Sequence, residues 1–513
     1  MRLSSHLLNA RPPVRSAGLL SVTFIAAALA AILAAPVQAR SGGRSAARAA
    51  SSPRPGQWIR LGLEEELSTP AVLHLTNGND LAVWLTPTTK ANKHFYKVVE
   101  LRPDGGMASA PSDAFGGHDW GSLTGTPTVV LDHGQPLILL EGGRDTVATD
   151  PYSRGCIVGD LLTSSGWKLQ PWSLSANCVN PDHFGATITS NGTLSAAFPG
   201  GWVNGDGIRY RIGVAPTIPA ATDDQHLSAA PGAAGFVSEA TETHSQDVYA
   251  AWARFFSNPT SKDGVWVADL SKHPVPIKMP GTGTNDVGHQ GPPIAMASPS
   301  VRGGIYVASC NNASTCSDVE LWRYGAKTAT TVPGSSNPTS VSLSAGPFGR
   351  LWIAWWSAKN GTVRVVRTNE AGNRFGPVET YAGPSGCPSD GNGYVRISGG
   401  SQQRADILLK CFGVISGSTY QSEAMATQSL APLQLAETTN FIKMKKGGSV
   451  TFRVSDVGDA VQGAVVSGDN RKGVTDKKGQ VTFHFPKGAR AGKFRIVGST
   501  ANYFNASTSL TIG

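Results

Sequence analysis

The residues of this chain best suited to chemistry sit in short polar stretches between apolar runs. "GGHDWGSLTGT", "NPDHFGA", "NDVGHQGPP" and "CPSDGNGY" carry His118, Asp119, Trp120, Asp182, His183, Asp286, His289 and Asp390. A second set, "GGRDTVATDPYSRGC", "PGGWVNGDGIRYR" and "ARFFSNPTSKDG", adds Arg144, Asp145, Asp150, Tyr152, Arg154, Trp202, Asp206, Arg209, Arg254 and Phe256. Gathered on one surface, such residues could hold or cut a carbohydrate. Aromatic faces stack on apolar sugar faces, arginines fork onto carboxylates, and paired acids do general acid/base work.

Asp119 and Asp145 are the preferred catalytic carboxylates, with Asp182 as a third. His118, Trp120, Arg144, Tyr152, Arg154, His183, Trp202, Arg254, His289 and Asp390 would contact substrate. His118, His183 and His289 recur at equivalent places in their stretches, which also makes them a candidate ligand set for a divalent metal in a lyase reaction. The plainer reading makes them hydrogen-bonding loop residues, with no cofactor required. A third use of the same surface is to meet another protein without catalysis. "GGRD" is too short for a phosphate loop, and no nucleotide fingerprint appears.

The elements that must position these stretches repeat. "TPAVLHLTNGNDLAVWL" from Thr69 is echoed from Thr126, Phe184, Ala234, Pro292, Pro338 and Gly393, at spacings of 46 to 58 residues. Each unit is an apolar strand, a short polar turn and a second apolar strand. A period near fifty with four short strands per unit predicts an all-β fold, a seven-bladed β-propeller, or a six-bladed one if the last unit is misread. "QWIRLGL", Gln57 to Leu63, is placed to complete the last blade and close the ring. The polar stretches then join strand two to strand three and one blade to the next, on a single face around the channel.

In "RLWIAWWSAKNGTVRVVRTNEAGNRFG", Leu351, Ile353 and Trp355 alternate with Trp352, Ala354 and Trp356. The alternation predicts a strand buried on both faces, with the tryptophans as inter-blade core rather than a sugar platform. Arg364 and Arg367 are expected to face solvent, and Glu64 to Glu66 to form a solvated acidic patch. "TNEAGNRF" resembles the Asp-box of sialidase-type propellers. Thr368, Glu370, Gly372 and Phe375 fall at matching places, with Glu for Asp and Arg374 for Thr. The resemblance implies the fold and says little about activity. It does not carry sialidase chemistry, because "LEEELSTP" lacks the arginine expected before the first strand.

From Leu435 the sequence has six or seven short strands in about eighty residues, with turns such as "TDKKG", and resembles bacterial immunoglobulin-like domains. The expected organisation is a signal peptide at 1–39, a basic linker at 40–56, a propeller at 57–432 and an immunoglobulin-like β-sandwich at 435–513. Of the net +9, the module holds 12 basic against 5 acidic residues, whereas Ser51 to Pro432 holds 26 against 30, a net of −4. Such a module favours anionic envelope or matrix polymers. Nucleic acid is not expected, since the propeller is acidic and no reader motif appears.

Six cysteines in three close pairs, Cys156 with Cys178, Cys310 with Cys316 and Cys387 with Cys411, favour sequential bridges among fifteen possible connectivities. Disulfides fit an exported protein. The expectation is a secreted monomer with no span in the mature chain, whose partner is an extracellular carbohydrate.

Overall fold

The computed structural model describes residues 54–64, 68–87, 94–117, 126–141, 157–173, 184–199, 208–214, 225–227, 233–255, 260–272, 274–283, 294–310, 316–385, 387, 393–400, 403–416, 419–443 and 445–513. These residues form an all-β protein. Among them helical structure is confined to single 3-10 turns such as Pro347–Gly349 and Ala358–Asn360, and no helix is long and apolar enough to cross a membrane.

Among the described residues between Ile59 and Pro432, seven antiparallel sheets follow one another, each built around four strands in meander order. Their first strands are Ala71–His74, Thr128–Asp132, Gly185–Ile188, Ala233–Thr241, Ile294–Ala297, Pro338–Ala345 and Tyr394–Ser398. We number these inner strands one to seven. Each packs beside the next, and the seventh packs beside the first, so the series closes on itself. The seventh sheet continues through Arg404–Ser416 and Thr419–Pro432, and its fourth strand is Ile59–Glu64 from the other end of the chain. Pairing the first and last strands of the 59–432 stretch in one sheet closes the series.

The tryptophan run shows how the sheets cohere. Leu351–Ser357 is buried along its whole length. Leu351, Ile353 and Trp355 enter a core with Tyr306, Val319 and Leu321 of the fifth sheet, while Trp352, Ala354 and Trp356 enter another with Val395, Ile407 and Leu409 of the seventh. Period-two alternation thus feeds two different cores from one strand. The inner strands are also tied sideways. In "SVSLSA", Val341 and Leu343 turn into the core, while Ser340, Ser342 and Ser344 accept the amides of Val395 (2.8 Å), Ile397 (3.1 Å) and Gly399 (2.9 Å). Each bond contributes about 0.5–1.5 kcal/mol, and removing a hydroxyl would orphan a buried amide.

At the junction of the first and seventh sheets, Arg404 lies 3.5 Å from Asp80 and 3.3 Å from Asp406. Burial, then the neighbouring Asp80, drives the Asp406 carboxyl well above the usual range, and Gln428 donates to its other oxygen at 2.8 Å. Two of the expected bridges, Cys310–Cys316 and Cys387–Cys411, are formed, and Cys156 and Cys178 lie outside the described residues.

Beyond Pro432 two further sheets face each other. One contains Gln434–Glu437, Gly448–Asp456 and Gln480–Phe485; the other contains Val465–Gly468, Gly492–Ser499 and Ala506–Ile512. Val450, Phe452, Val466, Phe483, Ile496 and Leu510 fill the space between them. Tyr503–Phe504 adds in parallel to Ala431–Pro432, so this sandwich is joined to the seventh sheet by backbone bonds.

The expectation that Arg367 faces solvent is wrong. It is buried against the sandwich, ion-paired with Asp456 and lying over the Trp352 and Tyr503 rings. Arg350 reaches Asp459 at 2.7 Å and Asp456 at 3.6 Å in the same interface. The partners lie far along the chain, so local alternation could not reveal them. Arg364 is more exposed and donates to the Gly334 carbonyl at 2.6 Å. The turn Thr368–Phe375 lies between the third and fourth strands of the sixth sheet, closed by a Thr368–Phe375 bridge. Its Glu370 amide donates to Asp459 at 2.8 Å, so this turn too is part of the sandwich interface.

Candidate functional site

The inner strands surround a cavity of about 290 Å3, and every one of them contributes to its wall. Most of that wall is small, hydroxylic or aliphatic. Two charged residues, Glu239 and Arg396, stand in it together with Tyr394.

Glu239 is aimed by a bulge. Inner strand four pairs Gly235 with Ala253 and then Ser238 with Ala251, so it carries one extra residue, and Phe236 there takes a left-handed φ of 55°. An extra residue inverts the inward/outward alternation beyond it, and bulges of this kind re-aim side chains near binding sites. Phe236, Val237, Ser238 and Glu239 all line the cavity as a result. Inner strand three must come close for this to work. A Cβ on Gly185 would lie 2.7 Å from the Glu239 nitrogen, so only glycine permits the approach.

Ser195 donates its hydroxyl to Glu239 Oε1 at 3.1 Å, while Oε2 has no partner among the described residues. Burial drives the carboxyl pKa well above the usual range, and the bonds from Ser195 and the Thr187 amide only partly oppose this. Burial thus favours the neutral acid over the carboxylate at this wall position.

Arg396 comes from the alternation in "YVRIS". Val395 and Ile397 belong to the core shared with the sixth sheet, which leaves Tyr394 and Arg396 on the opposite side, at the cavity wall. Burial lowers the Arg396 pKa, with Tyr394 and Glu64 acting in the other direction. Lys410 stands opposite Tyr394 in the register, wholly buried; its ammonium donates to the Ser68 carbonyl and lies 5.6 Å from the Tyr394 ring centroid. Glu64, Tyr394, Arg396 and Lys410 thus gather where the chain crosses from the seventh sheet to the first. Glu64 is only 1% exposed, which corrects the expectation of a solvated patch for that residue; Glu65 and Glu66 lie outside the described residues.

Most of the residues singled out from sequence lie outside the described residues. These are His118, Asp119, Trp120, Arg144, Asp145, Asp150, Tyr152, Arg154, Asp182, His183, Trp202, Asp206, Phe256, Asp286, His289 and Asp390. Arg254 and Arg209 are described, and neither lines the cavity. Arg254 is the penultimate residue of the second strand of the fourth sheet, opposite Ala234 and Gly264; burial lowers its pKa and Asp263 opposes the shift. Among the described residues no group of three or more His, Cys, Asp or Glu is placed to hold a metal ion.

Glu239, Arg396, Tyr394 and Lys410 escaped the sequence reading, which looked to loops. A signal was present: a single ionisable residue inside an otherwise apolar strand, in "GFVSEAT", "YVRIS" and "ILLKC". Such residues are rarely buried without a partner or a purpose.

No protein-family model and no curated protein matches the chain. Among solved structures it is similar to the polysaccharide lyase Uly1, at 10% identity over 70% of this chain and 89% of that one, with a TM-score of 0.41. It is similar to a puromycin hydrolase at 11% identity and a TM-score of 0.40, over 88% of this chain but 63% of that one. A third likeness is to an exo-β-1,3-galactanase from Phanerochaete chrysosporium, at 10% identity, a TM-score of 0.29, and 68% and 92% coverage. The activities in those names stay with those proteins.

Proposed function

We propose that residues 57–432 form a seven-bladed β-propeller of sialidase-type architecture, which recognises an extracellular acidic glycan at its central cavity and cleaves it there. Residues 435–513 are an immunoglobulin-like module that attaches the propeller to an anionic envelope or matrix polymer. The closed series of seven sheets and the two facing sheets beyond it support the architecture. A leader at 1–39 and linker at 40–56 would export the chain as a secreted monomer, and two formed disulfides are compatible with an oxidising compartment.

One observation carries the functional reading: the buried Glu239 carboxyl in the cavity wall, with one oxygen lacking a partner among the described residues and a pKa held up by burial. A neutral carboxylic acid beside a ligand is the proton donor that glycosidic cleavage requires. Arg396 would fork onto a uronate carboxylate, with Tyr394 beside it. Asp119, Asp145 and Asp182 would supply the second carboxylate from the rim. The cavity lies near the lower edge of small-ligand pockets, about 300–1,000 Å3, and suits one sugar ring better than several. No step here needs a metal; His118, His183 and His289 offer the metal-dependent lyase alternative.

The test is binding and product release by the mature chain on acidic and neutral polysaccharides, with reducing ends reporting hydrolysis and ultraviolet absorbance reporting elimination. Arg396→Gln should weaken binding of uronate polymers about 10- to 100-fold, the cost of a charge-assisted bidentate contact. Glu239→Gln should retain binding and lose product. If Asp119→Ala/Asp145→Ala abolishes release while both cavity variants act as wild type, the chemistry belongs to the rim alone. Loss of release on chelation moves it to the histidines. Absence of binding to every polymer refutes the glycan reading.

A further inference from the structure

The sandwich has exposed cations gathered at the end of its sheets that lies away from the propeller. Gly448–Asp456 runs to the propeller interface, where Asp456 and Asp459 meet Arg350 and Arg367. At the opposite end of the same sheets, Lys443, Lys445, Lys446, Lys487, Arg490 and Lys493 are all exposed. Eight residue steps of strand separate the two ends by roughly 27 Å, well beyond a Debye length in physiological salt. Of the module's acids, Asp469 is held by Arg471 at 3.5 Å and Glu437 accepts the Thr508 hydroxyl at 2.9 Å.

The basic end is built, not merely exposed. The Lys446 and Gly447 amides both donate to the Lys443 carbonyl at 3.0 Å, closing a tight turn. Gly447 has a left-handed φ of 68°, and a Cβ there would lie 2.6 Å from the Phe485 carbonyl and 2.8 Å from the Lys487 nitrogen. The two basic loops are therefore pressed together by backbone contact. From this end a strip continues along the outer sheet: Lys493 pairs with Thr511 and Arg495 with Ser509, with Arg495 and Ser509 both exposed. Cation and hydroxyl side by side recur every two residues, about 7 Å.

We propose that this distal end and strip are the docking site for a polyanionic polysaccharide. The inference rests on the reading of the module as an attachment unit and names the surface that attaches. A row of paired cations and hydroxyls suits an extended chain bearing anionic groups among hydroxyls. Lysines, as mobile point charges, suit a hydrated polymer whose groups need no fixed fork geometry. Because Asp456 and Asp459 are engaged by Arg350 and Arg367 at the propeller, the bound polymer lies on the far side of the module from that interface.

The test compares two variants of equal charge change in the mature chain, using polygalacturonate as probe. Lys445→Ser/Lys446→Ser should weaken retention about tenfold at low salt and flatten its salt dependence. Lys477→Ser/Lys478→Ser, at an exposed turn elsewhere on the module, should change it less than about twofold. Equal losses from both pairs overturn the site in favour of diffuse charge. If Arg396→Gln alone removes retention, the polymer is held in the ring cavity and the distal site is refuted, whatever becomes of the cavity reading. Binding of phosphatidylglycerol vesicles or duplex DNA in preference to polygalacturonate also overturns it.

Discussion

Replacing Asp456 by asparagine removes the anion that two buried guanidiniums share across the propeller–sandwich interface. Asp456 is essentially inaccessible, pairs with Arg367, accepts the Tyr503 hydroxyl at 3.1 Å and lies 3.6 Å from Arg350. Breaking one side of a buried ion pair costs about 3–5 kcal/mol, because the remaining charge is left in a poor solvent. Arg350 keeps Asp459 at 2.7 Å and Arg367 keeps its stacking on Trp352, so the lower end, about 3 kcal/mol, is expected. That corresponds to roughly a hundredfold rise in the population of opened interface. The Leu433 amide, which donates to the Phe504 carbonyl at 3.1 Å across the junction, should lose hydrogen-exchange protection by that factor. The double variant Arg367→Met/Asp456→Leu should recover most of it, since an apolar pair needs no desolvation. Protection within about threefold of wild type in Asp456→Asn, or a double variant no better than the single, would refute the argument.

Asp160 is held by burial at a pKa of about 7 instead of 3.8. The unfolded chain releases this proton near pH 4 and the folded chain keeps it, so stability falls as pH rises from about 4 to about 7 and is level above. Asp160→Asn should abolish that slope and stabilise the protein at pH 7 by about 2 kcal/mol, half the nominal shift after discounting for screening, as read from urea midpoints at both pH values. An unchanged slope would mean the group titrates normally. Gly185→Ala should cost about 1–3 kcal/mol by forcing inner strands three and four apart, and should weaken ligand binding together with stability. A neutral outcome in both would remove the close approach from the account of Glu239.

How much of this was legible in the sequence depended on how local the cause was. The tryptophan strand could be read because alternation at period two is dictated by the pleat, and Leu351–Ser357 obeys it on both faces. The strand completing the seventh sheet could be read because Gln57–Leu63 had nowhere else to pair. Arg367 could not, since its sequence context, "RVVRTN", is that of an edge residue and its partner belongs to a different sheet system. Glu239 was half legible. An acid within "GFVSEAT" is an anomaly, but the residue pairing that turns it inward depends on a bulge that no count of apolar positions reveals. The rim residues named from their loops fall outside the described residues and stand as proposals.

The same electrostatic rule separates structural charges from the candidate functional ones. At the ring junction Asp80 and Asp406 share Arg404, and at the sandwich interface Asp456 and Asp459 are met by Arg350 and Arg367. In both places charges from distant parts of the chain neutralise one another where the backbone must be held together. Glu239 and Arg396 are treated differently. Burial pushes each toward its neutral form, as it does Asp406 and Arg367, but Glu239 and Arg396 stand on the wall of a cavity instead of in a sealed core. A desolvated acid contributes no stability of its own, and its place on a cavity wall is what makes Glu239 the acid for which a ligand is proposed.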